Sequence, residues 1–130
     1  MNSFEQAIAA HEEWRTTFEH TVREGGGDLQ VEAVRADNRC LLGLWLAAMA
    51  KADLNPTALK MLRDVHGEFH RAAAQVLALA LAGRIREAVH SMAIGTQYGQ
   101  WSAVLLVALS RYAEAAGAGE LDAEVSGPAA

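Results

Sequence analysis

The chain has 130 residues, a formal net charge of −5 with the histidines neutral, and 52% hydrophobic residues. That is enough for one domain with a core of its own, and too apolar for an intrinsically disordered chain. With no rich basic patch, nucleic acid and anionic lipid are set aside as partners.

The start of the chain lacks a charged stretch followed by an apolar one, so no secretory signal is read there. The longest apolar run, 103–109, is far short of the ~20 residues that span a bilayer. The single Cys40 has no internal partner for a disulfide. A lone thiol without an export signal fits a reducing cytoplasm, the expected location. Alanine and leucine dominate and proline is scarce, which favours an all-α domain.

A first helix is expected over 3–24. Ser3 and Gln6 form a capping box at its start, and Gly25, Gly26 and Gly27 end it. Its apolar stripe is Phe4, Ile8, His11, Phe18 and Val22, with Trp14 alongside. His11 is thus on the buried face. His20, nine residues on, is about 180° around and points to solvent. Asp28 is a candidate cap for a short helical lead-in over 29–36, and Asp37 for a second helix carrying Cys40, Leu44 and Trp45 to about residue 50. Asn55 and Pro56 start a third helix, 56–82, with Gly83 just past its end. Its stripe is Leu59, Leu62, His66, His70, Ala73 and Leu77. A fourth helix spans 84–116, with Gly95 and Gly99 as points of bending or close approach. Its stretch 101–109 is apolar nearly all round, which fits a central helix or one shared with a second subunit. Residues 117–130 read as a flexible tail. The expected architecture is an antiparallel four-helix bundle over 1–116.

His66 and His70, at i and i+4, share one helix face with Cβ atoms roughly 5–6 Å apart. They can reach one metal ion. Zinc takes Cys sulfur and His nitrogen, usually four ligands in a tetrahedron. His11 and Cys40 are on or beside apolar faces of two other helices, and three imidazoles with one thiolate would make a closed shell. Each residue taken alone fits the core as well, a small buried hydrophobe being the usual role of such a Cys. A di-iron bundle needs inward carboxylates, and Glu68 is about 200° from His66 on the helix. A zinc protease needs Glu directly after the first His, where this chain has Gly67. His90 shares a face with Ile94, Trp101 and Leu105 and is taken as structural. The tryptophans are assigned to the core, Trp14 and Trp45 beside the ligands.

The segments His11-Glu12-Glu13-Trp14-Arg15, Cys40-Leu41-Leu42-Gly43-Leu44-Trp45 and His66-x-x-x-His70, in that order, resemble the chemoreceptor zinc-binding (CZB) domain family. The likeness runs on through residues 78–83, Glu87-Ala88 and Ser102, and covers roughly 4–112. It implies Zn²⁺ held by His11, Cys40, His66 and His70 in a four-helix bundle, commonly a homodimer. Members of that family are attached to bacterial chemotaxis receptors and diguanylate cyclases, whose output they regulate. Some relatives respond to oxidants such as hypochlorous acid through the cysteine. Two departures stand out. Leu41 and Leu44 replace residues that are often basic or polar, which implies a changed partner surface. No signalling stalk or cyclase domain accompanies the 130 residues, so a stand-alone copy is expected to act on a separate partner, buffer zinc or signal through its own dimer. The expectation is a zinc-binding sensory module without catalytic residues. The alternative is a dimeric helical interaction protein whose metal is purely structural.

Overall fold

The computed structural model describes the backbone of residues 3–38, 40–52 and 56–126. Among these the chain is all-α, without a strand: α1 (Ser3–Arg23), α2 (Val31–Arg35), α3 (Leu41–Ala52), α4 (Pro56–Leu81), α5 (Ile85–His90) and α6 (Gln97–Ser126). The expected cap at Asn55 and the side chain of Ser3 lie outside the described residues.

α4 is the axis of the molecule, packing against each of the other five helices. Its sequence explains this. Apolar or small residues recur at spacings of three and four, and Leu59, Leu62, Phe69, Ala73, Leu77 and Ala80 are all buried. The stripe is widened by Ala72 and Ala74, also buried, whose small side chains let neighbouring helices come close. Gly83, at φ +82°, ends the helix. Its N–H donates to the carbonyl of Ala80 and that of Arg84 to Leu79, at 3.0 and 2.9 Å. This is the paired C-terminal cap that glycine in a left-handed conformation makes possible. α1 ends in the same way, with Gly25 donating to Val22 and Gly26 to Thr21.

The structure departs from the sequence reading at several helix boundaries. The expected fourth helix is two helices: the chain breaks after His90, passes through Gly95 at φ +95°, and restarts with Thr96 as the cap of α6. The Thr96 Oγ1 accepts from the N–H of Gly99 at 3.2 Å. Both segments have helical periodicity, so the pattern alone does not reveal a change of direction between them. Neither expected aspartate caps its helix. Gln30 precedes α2 without a side-chain cap, because the helix starts beyond the reach of Asp28. α3 starts after Cys40, whose Sγ accepts from the N–H of Gly43 at 3.3 Å and takes the place expected for Asp37. The backbone of α6 runs to Ser126, and residues 127–130 of the expected tail lie outside the described residues.

α6 is not the central helix. It buries Leu105, Leu109 and Tyr112 against α4 but leaves Val104, Leu106 and Val107 roughly half exposed.

Candidate metal centre

Three elements deliver four donor side chains to one point. α1 brings His11, α4 brings His66 and His70, and Cys40 stands at the threshold of α3. The three histidines are 1% exposed and Cys40 9%. One donor atom from each of the four can be chosen so that all lie within 4.8 Å of one another. His66 Nε2 is 3.1 Å from His70 Nε2, and Cys40 Sγ is 3.3 Å from the first and 3.6 Å from the second. Zinc–nitrogen bonds near 2.0–2.1 Å and zinc–sulfur bonds near 2.3 Å give a tetrahedron with edges of roughly 3.3–3.6 Å. Three edges of the cluster are therefore close to those of such a site.

The tautomer of His70 is set by its neighbour. Its Nδ1 lies 2.9 Å from the carbonyl oxygen of Val34. A carbonyl only accepts, so Nδ1 carries the proton and the lone pair of Nε2 faces the cluster. This is how metal-binding imidazoles are usually oriented. His11 differs: both of its ring nitrogens are buried with no hydrogen-bond partner. A buried polar atom left so costs about 1–3 kcal/mol. An ion among the four donors would supply the partner that one His11 nitrogen lacks, so the residues fit a bound metal.

The electrostatics favour the donor forms of the histidines. Burial pushes His11 down to about 3, helped by the charges that His70 and Arg15 bring near it. Burial takes His66 to about 2, with His70 and His11 adding to it. His70 is lowered by burial too, opposed by the Val34 carbonyl and by Asp37. All three are neutral at pH 7, as ligation requires. Burial raises the Cys40 thiol, against the backbone N–H groups of Gly43 and Leu42. Without metal the cluster is thus uncharged, and a cation entering it would displace the thiol proton.

Aromatic rings enclose the donors. Trp14 is 4.8 Å from His70 and stacks on His11 at 5.9 Å, while Phe69 meets His11 edge-on at 5.2 Å. Trp45, expected beside the ligands, makes ring contacts to Phe4 at 4.6 Å and Tyr112 at 5.9 Å. His66 also lines a cleft of about 60 Å³ bordered by Asp37, Asn38, Gly43 and Arg63. His20 pairs with Glu24 at the surface, and His90 is exposed rather than structural, since α5 ends there and turns that face outward.

The sequence reading misses the Val34 carbonyl, because a main-chain acceptor has no residue type to signal it. It also misses Tyr98, which is buried and donates to Glu19 Oε2 at 2.9 Å. Glu19 in turn pairs with Arg15 at 2.9 Å, so this network joins α6 to the helix that carries His11. Comparison with protein-family models, curated proteins and solved structures finds no match to this chain.

Proposed function

We propose that this protein binds one Zn²⁺ per chain through His11, Cys40, His66 and His70, and uses it to report zinc or redox state to a separate signalling partner. The observation that carries the reading is the buried four-donor cluster, with its neutral imidazoles and the two unpartnered nitrogens of His11. Three nitrogens and a sulfur suit zinc better than magnesium or calcium, which take oxygen. A full protein shell leaves no open position for substrate, so the role is regulatory and not catalytic. In this reading α1, α3, α4 and α6 are the members of an antiparallel four-helix bundle of the CZB kind, and the partner is a chemoreceptor or diguanylate cyclase. The zinc-bound thiolate is the oxidisable group.

Metal analysis of the purified protein tests the reading and should give about one zinc per chain for a four-donor site. Protein that takes up no zinc when titrated with it would refute it. Sensing is wrong if metal-free protein keeps its helicity and assembly state and zinc alters neither shape nor partner binding; the alternative is a helical interaction protein whose metal is purely structural.

We further infer a homodimer through the outer face of α4 and α6. Met61, Val104 and Val107 are 62%, 45% and 52% exposed and border an apolar cleft of about 420 Å³ between these helices. Val107→Glu should weaken self-association by about thirtyfold or more, as removal of a central interface contact does, and leave zinc stoichiometry unchanged. Sedimentation equilibrium measures this. A wild-type chain monomeric at the highest concentrations reached would exclude the interface.

A further inference from the structure

Gly43 has two relations to the turn that carries the sulfur. Its N–H donates to Cys40 Sγ at 3.3 Å. It also makes room: a Cβ at this position would overlap the carbonyl oxygen of Asp37 and lie 2.8 Å from its carbon and 3.1 Å from Cα of Asn38. These are backbone atoms, which no side-chain rotation can clear. Gly67, next to His66 on α4, faces the same turn. A Cβ there would stand 3.0 Å from the Asp37 carboxylate. The turn at Asp37 and Asn38 is therefore seated between glycines of two helices.

The start of α6 has the same local arrangement without donors. Thr96 Oγ1 accepts from Gly99 N–H, and a Cβ on Gly99 would overlap the carbonyl oxygen of Ala93 and lie 2.9 Å from its carbon. The sequences agree as well: Cys40-Leu41-Leu42-Gly43-Leu44-Trp45 and Thr96-Gln97-Tyr98-Gly99-Gln100-Trp101 share glycine and tryptophan at equivalent places. The fold uses one cap geometry twice, with a hydroxyl in one copy and a thiol in the other. Sulfur is the weaker acceptor, so capping does not explain Cys40, whereas its approach to His66 and His70 does.

We propose that Gly43 is a positioning residue for the sulfur donor, admitting the turn that brings Cys40 to the histidines and holding Sγ with its N–H. The proposal rests on the metal-binding reading above. In the full chain, Gly43→Ala should weaken zinc binding about ten- to a hundredfold, the usual cost of losing support around a ligand. With cobalt(II) as probe, it should also diminish the sulfur-to-metal charge-transfer band while the visible bands persist. Gly99→Ala, the same steric change at the other copy, should leave zinc affinity within about twofold and the cobalt spectrum unaltered. Wild-type affinity and spectrum in Gly43→Ala would overturn the proposal, as would equal losses in both variants. If wild-type protein takes up neither metal, the metal reading fails, and Gly43 is judged on the metal-free thiol. Alkylation of Cys40 by iodoacetamide should then be several-fold faster in Gly43→Ala and unchanged in Gly99→Ala, and equal rates overturn the role. Should Gly43→Ala not fold, wild-type protein loaded with cadmium-113 decides. A scalar coupling between the metal and the Gly43 amide proton is expected, and its absence refutes the proposal.

Discussion

Cys40→Ala should lower zinc affinity by roughly two to three orders of magnitude and leave the metal-free fold nearly as stable as before. Apparent binding free energies of structural zinc, about 10–16 kcal/mol over four ligands, put a single ligand at roughly 2.5–4 kcal/mol, and each 1.4 kcal/mol is tenfold in affinity. The fold loses little, since the sulfur is a small group and its cap to Gly43 a weak one. His70→Ala should lower affinity by as much but destabilise the metal-free protein too. It leaves the buried Val34 carbonyl without its donor, a loss of about 1–3 kcal/mol. Competition against a chromophoric chelator, with urea denaturation of the metal-free variants, separates the two. Unchanged affinity in both would remove the assigned site.

Acid should unfold the metal-free protein at a pH where ordinary carboxylates are still charged. His11 and His66 titrate at about 3 and about 2 in the folded chain, and His70 is lowered as well. In the unfolded chain each titrates near 6.5. Between these limits the unfolded state binds more protons, so stability is complete above about pH 6.5 and falls as the pH drops below it. With His11 and His66 the slope approaches about 3 kcal/mol per pH unit, and His70 adds to it in the same direction. A domain at the low end of the usual range, roughly 5 kcal/mol, is exhausted by that slope within about two pH units, and a midpoint between about pH 4 and 5 is expected. Zinc keeps the imidazoles deprotonated and should move the midpoint down, while its own affinity falls as protons compete. Circular dichroism from pH 7 to 4, with and without zinc, measures both curves. A metal-free protein whose helicity is flat over that range would contradict the assignment of buried neutral histidines.

How far the sequence reveals this arrangement depends on the kind of interaction. His66 and His70 are legible because helical spacing fixes their common face, and the nine-residue step from His11 to His20 separates a buried imidazole from an exposed one. The helix ends at Gly25 and Gly83 are equally legible, since they rest on the conformational freedom of glycine. The break between α5 and α6 is not, because helical periodicity does not encode a reversal between two helices. Nor is the cap at Cys40, where Asp37 is the better capping residue and tertiary packing decides instead. His90 fails for a related reason: its apolar face exists only if residues 90 to 105 form one helix.

The donors are unevenly spaced along the chain, and this has a consequence in polymer terms. His66 and His70 are one helical turn apart, so a tie between them restrains almost nothing in the unfolded state. A tie from His11 to the same point closes a loop of about sixty residues, and a cross-link over that length removes about 4 kcal/mol of chain entropy. In the proposed zinc-bound state α1, which offers a single imidazole, should therefore lose the most restraint when the ion is withdrawn, together with the Arg15–Glu19 pair through which it reaches Tyr98 at the start of α6.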